Sequence, residues 1–198
     1  TGRVGKYSVG IMSMQTDEMW TSAEYDDRGE LSEASEFVPT TNYSVIRVKR
    51  DIFSRSEIGG IVTNKEAEGP EFNRTYGLDG SFNFFRYLDI NTYLLKTESE
   101  NSTDDDWAGN AHVSWKDDFW VIKAGEVMIG ENFNPELGFV PRTGMYKSTG
   151  SFGITPRPKN NFIRELNPFV NVGYISNTDG DIGSRNMDFG LKTTFDDG

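Results

Sequence analysis

The sequence lacks cysteine altogether and contains one histidine, His112. Without thiols it forms no disulfide, thiolate metal site or iron–sulfur cluster, and one imidazole excludes a multi-histidine zinc site. Basic residues are also scarce, 20 against 31 acidic ones, giving a net charge of −11. That balance argues against nucleic acid as a partner, because phosphate binding requires a basic surface. We expect no metal and no cofactor.

Long apolar runs are missing too. No stretch approaches the ~18 residues that a membrane-spanning helix needs, and no basic-then-apolar leader opens the chain. Aromatic residues, in contrast, make up 13% of the chain and glycines number 21, although hydrophobic residues reach only 35%. This combination is typical of a β-protein with one apolar and one polar face. The first and last residues indicate one β-barrel domain over 1–198, cut from a longer protein at both ends.

Apolar and polar residues alternate along most of the chain. In residues 76–84, Tyr76, Leu78 and Phe82 fall on one side of a strand, and Asp79 and Ser81 fall on the other. The same pattern predicts strands over 7–15, 43–50, 57–64, 76–84, 88–97, 107–115, 119–129, 146–154, 169–175 and 187–195. We therefore predict an all-β protein, an antiparallel up-and-down meander of about ten long strands.

Predicted connections alternate between long and short. The long ones cover 16–41, 65–74, 98–106, 130–144 and 176–185, and together they carry a charge of −15. The rest of the chain is therefore +4. Because alternate loops of a meander emerge at opposite ends, we expect the acidic loops at one end and tight turns at the other.

These features favour part or all of a bacterial outer-membrane β-barrel. Ten residues tilted by ~40° rise roughly 25 Å, the height of the apolar band of such barrels. The barrel interpretation makes lipid a partner and places Trp107, Trp115, Trp120 and Tyr87 at the membrane interfaces. The alternative is a soluble lectin-like β-sandwich, which has the same alternation with its apolar faces turned inward.

Five segments also carry a family resemblance: Ser44-Val-Ile-Arg-Val-Lys-Arg-Asp51, Ser56-Glu-Ile-Gly59, 73–80, 105–109 and, most specifically, 130–142. From about Tyr7 onward the chain resembles an uncharacterised family of bacterial barrel-like domains, often found C-terminal to a family-nine carbohydrate-binding module. The resemblance implies an outer-membrane location, a carbohydrate context and an upstream carbohydrate-binding module in the full-length protein. It implies no catalytic residues.

The loop over residues 130–144 is the first candidate site. Its Pro, Phe and Gly content predicts a structured loop that folds over the barrel mouth or into the lumen. The candidate ligand-binding residues are Glu131, Asn132, Asn134, Glu136 and Arg142. An ion pair between Glu131 and Arg142 is the structural alternative. A glycan hydrolase using Glu126, Glu131 and Glu136 is the enzymatic one, since paired carboxylates serve glycoside hydrolysis; enzymatic activity stays open.

Charges on the polar side of the strands form the second candidate site. We expect Arg47, Lys49, Asp79, Asp89, Asp188 and Lys192 to line the lumen. They either select ions or sugars or form a salt-bridge network that fills the interior. His112 is expected to be a hydrogen-bonded lumen residue, and the runs at 26–27, 104–106 and 179–181 to be solvated rather than calcium sites. The predicted function is anchoring or passage of carbohydrate-related material.

Overall fold

The computed structural model describes residues 1–21, 24–25, 31–33, 37–100, 104–159 and 162–196. Within these residues the chain is all-β and contains no helix that could cross a membrane. One large sheet dominates. Its strands are β1 (Gly2–Val4), β2 (Tyr7–Thr16), β7 (Thr41–Ile52), β8 (Ser56–Ala67), β9 (Phe72–Phe84), β10 (Leu88–Ser99), β11 (Trp107–Lys116), β12 (Trp120–Ile129), β13 (Met145–Ile154), β14 (Ile163–Asn177) and β15 (Ile182–Phe195).

Strands that follow one another in this sheet pair with one another, in the order β1-β2-β7-β8-β9-β10-β11-β12-β13-β14-β15. Every pair is antiparallel. The predicted all-β antiparallel meander is therefore confirmed, with β1 as an additional short strand. The described sheet is open rather than closed into a barrel. Between β2 and β7 lie two small ribbons, β3 (Met19–Trp20) with β6 (Phe37–Val38) and β4 (Glu24–Tyr25) with β5 (Leu31–Glu33).

Two of the predicted long loops are in fact short. Strands β8 and β9 are joined by residues 68–71, and β14 and β15 by residues 178–181. Lys65 pairs with Asn73, so the hydrogen-bonded ladder continues after the apolar alternation has ended. Strand β14 likewise begins at Ile163, earlier than predicted, with a register irregularity between Ile163 and Glu165. Loop lengths thus alternate less regularly than the sequence indicated.

The pairing register gives the sheet two different faces. Directly paired residues share a face, and Asp79 pairs with Tyr93, which pairs with Asn110. Members of this face, which we call the polar face, include Arg3, Arg47, Lys49, Asp51, Glu57, Lys65, Asn73, Asp79, Asp89, His112, Lys116, Lys123, Lys147, Asn171, Asp188 and Lys192. The opposite, apolar face includes Val48, Val62, Leu78, Leu94, Val113, Ile122, Phe152, Val172, Met187, Phe189 and Leu191.

The apolar face has no cover among the described residues. Leu78 is 70% exposed and Phe189 is 84% exposed. In the same part of the chain the buried hydrophobic residues are Ala67, Ala108, Ile129 and Phe133. A sandwich with its apolar faces turned inward is therefore not the fold of the described residues.

Part of the polar face is shielded from solvent. The side chains of Arg47 and Asp79 are only 29% and 25% exposed, although no second layer covers them in the described chain. Three clefts on this face are lined by residues of several strands. Arg47 and Asp79 are therefore more shielded than Leu78 and Phe189 on the opposite face.

Candidate functional site: the polar face and the loop that covers it

The loop over residues 130–144 packs against the polar face at the end where β8, β10, β12 and β14 finish. Phe133 of this loop is 3% exposed and contacts Ala108 and Ile129. Around this cluster pack Leu95, Val127, Val140 and Met145. The main hydrophobic cluster therefore lies between the sheet and the loop. The loop is folded in on the polar side of the strands, the side that the sequence pattern assigned to the lumen.

Two strand residues hold the backbone of the loop. Asn73 is 1% exposed; its Nδ2 donates to the carbonyl of Asn134 at 2.8 Å, and its Oδ1 accepts from the amide of Glu136 at 3.2 Å. The hydroxyl of Thr97 accepts from the amide of Asn134 at 3.2 Å. Peptide groups that would be orphaned by burial are thereby satisfied. We call Asn73 and Thr97 the loop latch.

A second anchor lies at the start of the loop. The amide of Gly130 donates to the carbonyl of Trp107 at 2.8 Å, and the amide of Asn132 donates to the carbonyl of Asp105 at 3.1 Å. A Cβ on Gly130 would lie 2.1 Å from the carbonyl oxygen of Asp105. Because hydrogen bonds hold the backbone at both residues, only glycine allows this close approach.

The candidate ligand-binding residues of the loop mostly hold the loop itself. Glu136 forms an ion pair with Lys65, and Glu131 accepts a hydrogen bond from the hydroxyl of Thr178. Asn132 donates from its side chain to the carbonyl of Asp104 at 2.6 Å, and Asn134 is bound through its backbone.

The guanidinium of Arg142 lies near Gly183 of β15. Among the ion pairs of the described residues, the expected pair between Arg142 and Glu131 is not formed. A cleft of about 240 Å³ remains beside the loop and is lined by Lys65, Glu71, Phe72, Ser99, Glu100 and Glu136.

The three glutamates of the hydrolase alternative do not share one face. Glu126 pairs with Ala111 and Ser148, which places it on the apolar face. Glu131 and Glu136 belong to the loop on the polar side and are bound to Thr178 and Lys65. Within the described ranges no group of three or more metal-ligating side chains converges. Asp26 and Asp27 lie outside those ranges.

All six predicted lumen charges lie on the polar face. In the first half of the sheet they are paired: Arg47 binds Asp79 through two hydrogen bonds, one of 2.8 Å, and Lys49 binds Glu57 at 2.6 Å. Strand β8 lies between the strands of Arg47 and Asp79. The pair forms because Gly59 has no side chain; a Cβ there would lie 2.8 Å from Asp79 Oδ1.

In the second half of the sheet the polar face has a different character. Asp89 and Asp188 accept hydrogen bonds from Asn83 and Asn171 rather than from cations. Lys192 lines a cavity of about 500 Å³, and a neighbouring cavity of about 410 Å³ contains His112. Lys123 and Ser151 line both cavities. Sequence reasoning missed Lys123 and Lys147, whose positions within the alternating strands were the available signal.

Aromatic residues gather at the end of the sheet that carries the short turns. Trp120 packs edge-on to Phe119, with ring centroids 4.9 Å apart, and lies 5.7 Å from Phe152. Tyr87 lies in the turn of residues 85–87, with its ring 5.9 Å from that of Trp115. Together with Phe53, Phe84 and Phe85 these residues form a short-turn belt. Three of the four predicted interface aromatics belong to it.

A second group of aromatics lies on the apolar face toward the opposite end. Trp107, the fourth predicted interface aromatic, begins β11, and its register partner Lys96 pairs with Tyr76. Tyr146 and Tyr174 occupy neighbouring levels of β13 and β14. All four side chains are exposed, and each carries a polar N–H or O–H.

The turn between β11 and β12 is organised by one carboxylate. Asp117 accepts hydrogen bonds from the amides of Trp120 at 2.7 Å and Phe119 at 2.8 Å, and from the indole N–H of Trp115 at 2.8 Å. In that order of strength, these donors lower the pKa of Asp117 below its ordinary value. The turn therefore ties two tryptophans of the short-turn belt to one ionised side chain.

Comparisons of the chain with protein-family models, with curated proteins and with solved structures found no match.

Proposed function

We propose that this chain forms the wall of a bacterial outer-membrane β-barrel, through which carbohydrate-related material passes or to which it is anchored. The apolar face contacts lipid, and the polar face lines a water-filled interior. The observation that carries the proposal is the exposure of the apolar face, across the sheet from Val48 through Leu78 to Phe189.

Energetics favour lipid over water for such a surface. Each 100 Å² of apolar surface that leaves water contributes about 2.5 kcal/mol, and soluble monomers rarely expose continuous apolar patches beyond a few hundred Å². Between neighbouring strands the exposed residues are continuous, because Leu78 pairs with Leu94 and Ile122 pairs with Phe152. A hydrocarbon environment removes this cost without a second protein layer.

The spacing of the two aromatic groups fits a membrane. Trp107 and Trp115 are eight residues apart on β11, which is about 27 Å along the strand and about 20 Å across a bilayer at a tilt of ~40°. Between them on the same face lie Gly109, Ala111 and Val113. Amphipathic rings at both borders of an apolar band are the arrangement found at membrane–water interfaces.

The latched loop supplies a narrowing at one end of the interior. Phe133 and Asn134 hold it against the polar face, so that the wall contributes both a surface and a partial cap. The carbohydrate part of the proposal derives from the family resemblance, whose most specific segment is this loop. The upstream carbohydrate-binding module would deliver the material. The separation of Glu126 from Glu131 and Glu136 gives the hydrolase alternative no support.

The proposal is tested by placing the purified chain in contact with liposomes. Flotation in a density gradient and quenching of tryptophan fluorescence by brominated lipids measure insertion. Single-tryptophan versions retaining Trp107 or Trp115 should both be quenched, most strongly by bromines near the glycerol level. A chain that stays folded, monomeric and monodisperse in detergent-free buffer, and does not float, would contradict the proposal. Passage is measured by placing proteoliposomes in a solution of neutral oligosaccharide and following the rate at which they swell as the oligosaccharide enters.

A further inference from the structure

Basic residues of the polar face differ in whether a carboxylate binds them. In the first half of the sheet Arg3, Arg47, Lys49 and Lys65 each form an ion pair. In the second half, none of the described carboxylates lies within ion-pair distance of the four lysines Lys116, Lys123, Lys147 and Lys192. The chain is strongly acidic as a whole, so four lysines on one surface without an ion pair to a described carboxylate are a local specialisation.

These four lysines lie at four different levels along the strands, on β11, β12, β13 and β15. The register partner of Lys123 is Ser151, four residues beyond Lys147 on β13, which separates the two lysines by about 14 Å along the strand. We call two residues along a strand, about 7 Å, one level, because that is the spacing of neighbouring side chains on the same face. Lys116 lies one level closer to the short turns than Lys123, and Lys192 lies one level closer than Lys116. From Lys147 to Lys192 the series extends about 27 Å. We call it the lysine ladder.

The two adjoining cavities give the ladder a recessed floor. Lys123 and Lys147 line one, and Lys116, Lys123 and Lys192 line the other. Gly125 and Gly173 lie between the levels. The side chains of His112 and Asn186 lie over these glycines. A Cβ on Gly125 would lie 3.1 Å from His112, and a Cβ on Gly173 would lie 2.3 Å from Asn186 Oδ1. Polar side chains therefore line the recess between the lysines.

Three carboxylates, those of Asp117, Asp118 and Glu165, line the same cavity as Lys116, Lys123 and Lys192, but none of them lies within ion-pair distance of these lysines. Asp117 accepts its three turn hydrogen bonds, and Asp188 accepts from Asn171 at 2.7 Å. Glu165 binds Arg157 at 3.2 Å through one oxygen and Asn167 at 3.1 Å through the other. Asp118 is exposed in the turn. The ladder thus keeps its positive charge available to a ligand.

We propose that the lysine ladder binds extended anionic solutes, molecules that carry several carboxylates or phosphates along a chain. Spaced ammonium groups match spaced oxyanions, and each exposed lysine can donate a charge-assisted hydrogen bond to one of them. Binding requires only the folded sheet, whereas anion selectivity of passage rests on the proposed barrel.

Isothermal titration of the detergent-solubilised chain tests the inference with four probes: tetragalacturonate, tripolyphosphate, inorganic phosphate and neutral maltotetraose. We expect both extended anions to bind at low salt and to weaken steeply as salt is raised. Maltotetraose is expected to bind far more weakly. Comparison of the two extended anions distinguishes carboxylate from phosphate ligands.

Charge-removal variants locate the site. Lys123→Gln and Lys147→Gln should each weaken binding of the extended anions about two- to fivefold, the range for one exposed charge contact. Lys123→Arg, which keeps the positive charge, should bind the extended anions about as tightly as the native chain. Lys6→Gln is the matched control, because Lys6 is exposed in the turn between β1 and β2 and its loss changes the net charge equally.

Three outcomes would overturn the inference: equal affinity for tetragalacturonate and maltotetraose, equal affinity for phosphate and tripolyphosphate, or equal weakening by Lys6→Gln and Lys123→Gln. Flotation measured on the same samples separates this inference from the proposed function. Protein that inserts into liposomes without binding anions refutes the ladder alone. Protein that binds anions without inserting refutes the barrel alone.

Discussion

Asn73 and Asn134 are 61 residues apart in sequence, yet the side-chain amide of the buried Asn73 donates to the carbonyl of Asn134 at 2.8 Å. The same side chain accepts from the amide of Glu136. One asparagine therefore fixes two peptide groups of a loop that has no strand pairing of its own. The loop's position on the polar face depends on this contact and on the packing of Phe133.

Replacing Asn73 by Ala should release the 130–144 loop. The variant removes two hydrogen bonds and leaves the Asn134 carbonyl and the Glu136 amide unsatisfied, at a cost of about 1–3 kcal/mol for each group that stays buried. Limited proteolysis with mass spectrometry should find new cleavage within the loop. Asn91→Ala is the control, because Asn91 is exposed on the same face. Equal protease resistance of both variants would contradict the latch.

Phe133→Ala should lower the free energy of unfolding by about 3–5 kcal/mol, the usual cost of deleting a buried phenylalanine side chain. Phe139 offers a control within the same loop because it is 88% exposed. Phe139→Ala should change stability by less than about 0.5 kcal/mol. Chemical unfolding followed by tryptophan fluorescence measures both, and similar midpoints would show that the loop adds little to the fold.

Gly130→Ala should disrupt the first anchor of the loop. The added Cβ meets the Asp105 carbonyl oxygen at 2.1 Å, and the backbone must move to relieve the contact. Gly138→Ala is a matched change in the same loop, where the nearest atom lies at 3.4 Å. We expect a markedly lower melting temperature for Gly130→Ala than for Gly138→Ala, measured by circular dichroism. Equal melting temperatures would argue against a rigid anchor.

Arginine substitutions on the two faces should separate lipid from water. Leu78→Arg places a charge on the apolar face and should cost about 2–4 kcal/mol of stability in lipid vesicles if the site lies near the bilayer centre. Ser81→Arg, on the polar face of the same strand, should cost much less. Guanidinium titration in vesicles measures the difference. Equal costs would place both faces in the same solvent.

Acid should weaken the turn between β11 and β12. Because folding lowers the pKa of Asp117, its ionised form contributes stability at pH values above the ordinary aspartate pKa of about 3.9. That contribution is lost as the pH falls through the lowered pKa of the folded state. The difference in melting temperature between the native chain and Asp117→Asn should therefore shrink from pH 7 to pH 2. A constant difference would exclude this ionisation as its source.

Sequence patterns predicted the strand centres well and the strand ends poorly. Alternation of side chains from Tyr76 to Phe84 places that strand and both of its faces. At Lys65 and Asn73 the ladder continues through polar residues, and alternation carries no information there. The three-residue strand β1 is too short for a pattern.

The site was predictable in position but not in detail. The content of the 130–144 loop indicated a folded segment on the polar side, whereas Asn73 as its latch depends on a long-range contact. Pairing of Arg47 with Asp79 across Gly59 also needs the register, since the two residues are on strands that do not touch in the ladder. Among the described residues, the register places Ser114 and Ser151 beside Lys123, and Val127 and Ile175 beside Lys147, so neither lysine has a carboxylate as its direct cross-strand neighbour.

The outer strands of the sheet differ greatly in length: β1 spans three residues and β15 spans fourteen. In the described chain each has a ladder partner on one side only. Backbone groups stripped of water and left unbonded in hydrocarbon cost several kcal/mol each. If the sheet resides in lipid, the free edge of β15 must pair with additional strands, from the same protein or from another copy. Because β1 spans only three residues, it cannot pair with the whole edge of β15.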